Sequence, residues 1–176
     1  SEAELLAKVA ELNAAPDVDG ILVQLPLPQQ ISAIKIIEAI AHEKDVDGFH
    51  PMNIGRMAKD LPAPYPATPA GIIEIFRRYN IDTFGKHCVV VGRSHIVGSP
   101  MSILMAREAI PGECTVTLTH INTPNRAHHT LQADIIICAV GKPNLVTAVM
   151  VKEGVVIVDV GINKVEDSSR ERGYRL

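Results

Sequence analysis

Leu5, Leu6, Val9 and Leu12 fall on one stripe of a helical period behind a Ser1-Glu2-Ala3-Glu4 capping-box pattern, so residues 1–13 are predicted to form an amphipathic helix. Turn chemistry follows from Asn13 to Gly20, and the short apolar run Ile21-Leu22-Val23 reads as a strand that ends at Gln24. Pro26 and Pro28 deny a regular ladder beyond it. Ser32 is placed to cap a helix that turns Ile34, Ile37 and Ala41 inward, a charged loop runs from Glu43 to Gly48, and residues 52–58 suit a short helix. The four prolines between Leu61 and Pro69 make a rigid connector. Thr68-Pro69 reads as the N-cap and first residue of a helix that ends near Tyr79.

The pattern changes beyond Gly85-Lys86. Cys88–Val91, Thr115–Thr119, Ile135–Cys138 and Val155–Val158 are β-branched runs separated by helix-length segments, apolar on both faces as in a parallel sheet covered by helices. The expected fold class is therefore α/β: a Rossmann-like, doubly wound parallel-sheet domain over residues 69–176, preceded by part of a second α/β catalytic domain over residues 1–68. The last stretch, Glu166 to Arg175, is polar and no closing helix is expected there.

Composition narrows the function classes. With 176 residues, 47% of them apolar, the chain can bury a sizeable core. Its formal charge of −3 and scattered Lys and Arg leave no nucleic-acid footprint. No apolar run approaches the roughly 18–20 residues that span a bilayer, and the start has no leader pattern, so no membrane partner is expected. Cys88, Cys114 and Cys138 each fall in a strand expected to be buried, which points to a reducing, cytoplasmic setting. The seven histidines show no H-x-x-x-H or H-E-x-x-H spacing, so no metal site is expected. Met101, Leu104 and Met105 share a helical stripe and read as core, and Arg77-Arg78 as a solvated helix end.

Candidate chemistry gathers in two places. Val89-Val90-Val91-Gly92-Arg93-Ser94-His95-Ile96-Val97-Gly98-Ser99-Pro100 runs from strand through a glycine turn to a helix start. With Ser99 as N-cap and Pro100 as first helical residue, free amides would face a pyrophosphate above Gly92 and Gly98. Ser94 replaces the middle glycine of the usual G-x-G-x-x-G, and a glycine turn that merely admits a helix is the plain alternative. The second strand ends Thr119-His120-Ile121 with no acid to hold a ribose 2′-hydroxyl, while Arg93 is available for a 2′-phosphate. The expected cofactor is NADP in preference to NAD.

In the first half, Gln24 offers two donors and an acceptor at a strand end, suited to a substrate carbonyl or a catalytic amine; capping the strand is its ordinary alternative. Asp45 and Asp47, two apart in an extended segment, would point to opposite sides, one into a cleft and the other toward solvent or Lys44. Asp47, beside Gly48, is the expected reader of a guanidine-like ring edge, against the alternative of a solvated acidic turn.

Five ordered blocks resemble the bifunctional methylenetetrahydrofolate dehydrogenase/methenyltetrahydrofolate cyclohydrolase family: Asp19 through Pro28, Lys44-Asp45-Val46-Asp47-Gly48, Thr68-Pro69-Ala70-Gly71, Val91-Gly92-Arg93-Ser94 with Val97-Gly98-Ser99-Pro100, and Asp159-Val160-Gly161-Ile162-Asn163. The resemblance implies NADP-dependent oxidation of 5,10-methylenetetrahydrofolate and hydrolysis of the methenyl product to 10-formyltetrahydrofolate, with tetrahydrofolate derivatives as partners and a homodimer as the assembly. It implies that Gln24 supports a catalytic lysine, that Asp47 anchors the pterin, and that Gly92-Arg93-Ser94 and Ile162 contact the dinucleotide. Ile121 stands where a polar side chain often helps bind the 2′-phosphate, and Ala67 where a cysteine is common. The family's Y-x-x-x-K motif does not occur in these residues, nor does its C-terminal Pro-Gly-Gly segment, so the expectation is an internal fragment without cyclohydrolase activity. Two other readings fit the fold alone: another NADP-dependent dehydrogenase, of shikimate or amino-acid type, and a non-catalytic dinucleotide-binding or dimerisation module.

Overall fold

The computed structural model describes residues 1–176 except Asn163, Lys164, Ser168, Glu171, Gly173 and Leu176, and the backbone alone of Val165 and Arg175. Asn163, the last residue of the fifth block, thus lies outside the described residues. The chain divides into two compact units, Ser1–Gly71 and Ile72–Leu176.

In the first unit, α1 (Glu2–Ala14) starts with the expected capping box, Ser1 Oγ accepting from the Glu4 amide at 3.3 Å. The α2 helix (Ala33–Ala39) is capped by Ser32. The two helices run in the same direction and are tied at both ends. At their starts, Glu2 accepts from the Ser32 amide at 2.7 Å and from Lys35 Nζ at 3.0 Å, and these bonds hold its carboxyl below the usual range. At their ends, Asn13 donates to Ala39 O at 2.7 Å and accepts from the Ala41 amide at 2.9 Å.

Val9, Ile21, Ile36 and Ile40 form the core between them. Ile36 and Ile40, four apart, make the inward stripe, whereas Ile34 is 69% exposed. The expected inward face was thus wrong by about half a turn, because residues two apart on a helix point nearly opposite ways. The expected strand at Ile21-Leu22-Val23 reduces to one parallel bridge, Ile21 with Asp45, since the described residues supply no longer ladder beside it. The α3 helix (Pro51–Ala58) follows, and its end closes with Asp60 left-handed and the Leu61 amide donating back to Arg56 O at 2.9 Å.

The α4 helix (Ala67–Arg78) runs through the division. It starts ahead of the expected N-cap Thr68, because Pro69 sits in a first turn where no amide partner is needed. Its exit uses Asn80 at φ 51°, with the Ile81 amide returning to Phe76 O at 2.9 Å.

The second unit is built on a four-stranded, all-parallel sheet in the order β2-β1-β3-β4, with β1 at His87–Val91, β2 at Thr115–Thr119, β3 at Ile135–Cys138 and β4 at Val156–Asp159. The central pair is buried on both faces: Val89 and Val91 lie in register with Ile136 and Cys138 on one side, and Cys88 and Val90 beside Ile135 and Ile137 serve the other. The α5 helix (Gly98–Ala106) packs against β1 and β2 and buries Met101, Leu104 and Met105 completely. Edge strands β2 and β4 are mostly half-buried or exposed, contrary to the expectation of apolar burial on both faces, because a strand with one neighbour among the described residues is covered less fully. Cys114 is buried but lies one residue before β2, its thiol donating to Thr83 O. A short helix, α6 (Arg126–Thr130), connects β2 to β3. The chain continues into a small antiparallel pair, β5 (Val165–Glu166) with β6 (Tyr174–Arg175).

Candidate functional site

Strand order fixes where a ligand can sit in the second unit. The chain leaves β1 for β2 on one side and returns to β3 on the other, so the crevice above the carboxyl ends of β1 and β3 is the switch point of the sheet. Gly92 leaves β1 at φ +113°, and a Cβ there would stand 2.3 Å from Ala139 O, just beyond β3. At Gly98 a Cβ would stand 1.9 Å from Gly92 O. No side chain fits at either position, because backbone carbonyls fill the space; the two glycines let the turn pack closely against the loop after β3 and the start of α5 against the turn.

Ser94 shapes the turn between the glycines. Its Oγ accepts from the Val97 amide at 3.2 Å and the Gly98 amide at 3.3 Å, and its carbonyl accepts from Ser99 at 3.0 Å. The helix therefore begins at Gly98, with Val97 at the N-cap position, rather than at Pro100 behind a Ser99 cap. Ser99 Oγ instead donates to Arg93 O at 3.3 Å. The expectation failed because Ser94 folds forward and takes the capping role from within the turn. The backbone amides of Arg93, Ser94, His95 and Ile96 find no acceptor among the described residues. Uncommitted amides ahead of a helix start fit an anion.

Arg93 is exposed two residues beyond β1, and Ile121, 73% exposed, two residues beyond β2 in the same register. Both thus lie at the carboxyl edge of neighbouring strands. Ile162 is exposed just past β4, where the Gly161 amide donates to Asp159 Oδ1 at 2.9 Å.

The loop after β3 was not singled out in the sequence. A cavity of about 70 Å³ opens there, lined by Cys138, Val140, Lys142, Asn144 and Asp159 among others. A Gly-Lys-Pro-Asn turn directly after an apolar strand was the available signal. Burial pushes the Cys138 thiol up to about 11, so it stays protonated and acts as a small apolar wall. A larger cavity of about 160 Å³ lies at the opposite edge, against Lys86, Asp134 and Gly154. Its acids are already paired, Asp134 with Lys152 at 2.6 Å and Asp82 with Lys86 at 3.2 Å.

In the first unit, the charged loop separates its two carboxylates. Asp45 is the inward one, 2% exposed, accepting from the His50 amide at 2.8 Å and from Asn53 Nδ2 at 2.9 Å. The solvent or Lys44 contact expected for it does not occur. Lys44 Nζ is drawn instead to the C-terminal carbonyls of α1, donating to Leu12, Asn13 and Ala15 at 3.0, 2.9 and 2.7 Å. Asp47 is half-buried, and no hydrogen bond reaches its carboxylate from the described residues. Burial, and then the charge of Asp45, raise its carboxyl above the usual aspartate value. An acceptor left unmet in a partly dry setting is suited to an N–H-bearing ligand. Gln24 is exposed, with Nε2 donating to Leu25 O at 2.9 Å, which leaves its Oε1 open.

Residues 66–174 match the family described as tetrahydrofolate dehydrogenase/cyclohydrolase, NAD(P)-binding domain, and residues 1–47 match the catalytic domain of the same description. The chain is 60% identical over 176 residues to the bifunctional protein FolD of Cytophaga hutchinsonii, covering 100% of this chain and 61% of that protein. It is 59% identical over 174 residues to FolD of Flavobacterium psychrophilum, covering 99% of this chain and 59% of that one. It therefore spans about three fifths of the length of these relatives. Among solved structures, the methylenetetrahydrofolate dehydrogenase/cyclohydrolase FolD of Campylobacter jejuni superposes with a TM-score of 0.90 at 44% identity, over 98% of this chain and 58% of that one. The Trypanosoma brucei enzyme, solved with NADP and an inhibitor, gives a TM-score of 0.91 at 34% identity, over 99% of this chain and 59% of that one. A Rossmann-like sheet with a glycine-lined switch point, an uncommitted aspartate in the charged loop and these matches lead to one conclusion: the chain belongs to the tetrahydrofolate dehydrogenase/cyclohydrolase family.

Proposed function

We propose that this protein serves one-carbon folate metabolism by oxidising 5,10-methylenetetrahydrofolate with NADP, within an enzyme that also hydrolyses the methenyl product. The uncommitted backbone amides of residues 93–96, at the switch point of the sheet and just ahead of α5, are the observation that carries this reading, because together they suit paired phosphates. The amides of residues 93–96 would hold those phosphates, Arg93 the 2′-phosphate, and Ile162 and the loop after β3 the sugar and ring beyond them. Ile121 adds apolar cover at that edge but no charge, so the preference for NADP over NAD is assigned to Arg93. NADP, when bound, supplies the hydride acceptor.

The residues of the first unit do the orienting. Asp47 accepts the paired N–H groups of the pterin edge, and its raised proton affinity makes it a stronger acceptor for them. Gln24 Oε1 is open to accept from the amine of a lysine, the group expected to manage protons in the hydrolytic step. No Y-x-x-x-K motif occurs in the 176 residues, so this chain by itself is expected to hydrolyse methenyltetrahydrofolate no faster than buffer does. Among the described residues, no helix is long and apolar enough to cross a membrane. Buried, protonated cysteines suit a reducing cytoplasm, and exposed edge strand β2 suits pairing between two copies.

Calorimetric titration of the protein with NADP, NAD and 5-formyltetrahydrofolate tests the proposal. Binding of NADP more tightly than NAD, together with binding of the folate that Asp47→Asn weakens, is expected. Binding of dinucleotide without folate would favour a non-catalytic dinucleotide-binding module.

A further inference from the structure

The Lys44-Asp45-Val46-Asp47-Gly48 loop carries a second carboxylate with no assigned task. Asp45 is buried, and both hydrogen bonds to its carboxylate converge on Oδ2, from the His50 amide at 2.8 Å and Asn53 Nδ2 at 2.9 Å. Asn53 is itself 1% exposed, and its amide nitrogen also donates to His42 O at 2.8 Å, so it staples the start of the loop to its middle. The Asp45 backbone is held by the bridge to Ile21, and the Ile21 amide donates to Lys44 O at 2.7 Å.

The far side of the loop is equally fixed. Gly48 takes φ +68°, and a Cβ there would stand 2.6 Å from the Tyr65 carbonyl carbon and 2.8 Å from Pro64 O. His50 closes the segment by accepting from the Met52 amide at the start of α3 at 3.0 Å. Asp47 thus stands on a short arc held on one side by the buried Asn53–Asp45 bond and on the other by the close packing of Gly48 on Pro64 and Tyr65 and the cap at His50.

A buried carboxylate is an expensive way to brace a loop. An asparagine at position 45 could accept the same two N–H groups, so bracing alone does not call for the charge. The charge also acts on Asp47, whose proton affinity is raised first by burial and then by the nearby Asp45 carboxylate. Around Asp47, Lys44 is turned away to the α1 carbonyls, His42 pairs with Glu43 at 3.2 Å, and His50 is committed to its cap; Asp45 is the charged group that acts on it.

We propose that Asp45, braced by Asn53 and the His50 amide, is a positioning residue for folate recognition: it fixes the arc that presents Asp47 and supplies a negative charge that strengthens Asp47 as an acceptor for the pterin N–H edge. This inference rests on the assignment of Asp47 to the pterin made above. It concerns affinity and its pH dependence, which a merely structural brace would leave separable.

The test is the dissociation constant of 5-formyltetrahydrofolate, measured by calorimetry between acid and neutral pH on the full chain and on Asp47→Asn, Asp45→Asn and Asn53→Ser. Asp47→Asn should weaken binding roughly tenfold or more, the loss expected of a charge-assisted pair. Asp45→Asn should weaken it several-fold and move the acid limb of binding to lower pH, because Asp47 loses the charge that raises its proton affinity. An Asp45→Asn protein with unchanged affinity and an unmoved acid limb would overturn the proposal, provided that Asp47→Asn still loses binding. Asp47→Asn binding as well as the wild type would instead overturn the assignment on which the inference rests. If circular dichroism finds Asp45→Asn unfolded, Asn53→Ser decides: weakened folate binding with an intact melting transition supports the brace, and wild-type affinity refutes it.

Discussion

Asp47, proposed above to hold the pterin edge, is the residue at which binding and stability would pull apart. Its carboxyl is raised in the folded protein by burial and by Asp45, so the folded state favours the protonated form. The resulting stabilisation is present below the ordinary aspartate range, about 3.9, and is lost as pH rises through the raised folded value. At neutral pH the ionised group therefore opposes folding. Asp47→Asn is expected to raise the melting temperature at pH 7, with the gain shrinking toward zero as pH falls below that range; an equal or lower melting temperature at pH 7 would contradict the assignment. Lys44 gives the opposite case. Its ammonium satisfies carbonyls at the end of α1, and Lys44→Met should cost about 1–3 kcal/mol in urea unfolding. The sequence put Asp45 and Asp47 on opposite sides of the loop and expected Asp45 to meet solvent or Lys44, whereas Asp45 is the buried one. Alternation fixes relative direction only, and Asn53, which draws Asp45 in, lies eight positions on within the next helix.

Among the elements, the turn between β1 and α5 is the most constrained. Gly98→Ala would drive a Cβ into Gly92 O, and relief requires the turn to open. A loss of about 2 kcal/mol or more in unfolding free energy is expected, together with loss of dinucleotide binding. Ser94→Ala removes the acceptor for two amides and should cost about 1 kcal/mol, as loss of a helix cap does. Thermal melts with and without NADP check both. The strand, turn and helix order was legible because β-branched runs and glycine punctuation are local signals. The true start of α5 was not, since it depends on Ser94 folding forward over four residues. In the same way, α2 showed its period but not its phase: Ile34, Ile36, Ile37 and Ile40 are all apolar, and only packing against Val9 selects the buried pair.

Across the whole molecule, the parallel sheet was readable from four apolar runs, and its edges were not. Sequence reports how apolar a strand is; how many neighbours it has depends on topology, and among the described residues β2 and β4 each have one. The loop from Ala139 to Asn144 became part of the site only once the order β2-β1-β3-β4 placed it across from Gly92. Ile136, in β3 of the central pair and fully buried, anchors this arrangement, and Ile136→Ala should destabilise the sheet by about 2–5 kcal/mol. The central claim is that the glycine-lined switch point receives the coenzyme. Backbone amide NMR during titration with NADP tests it without altering the chain: the account predicts the largest shifts at Gly92 through Gly98 and at Ala139 through Asn144. Saturable NADP binding that leaves those amides unmoved, or no binding at all, would contradict it.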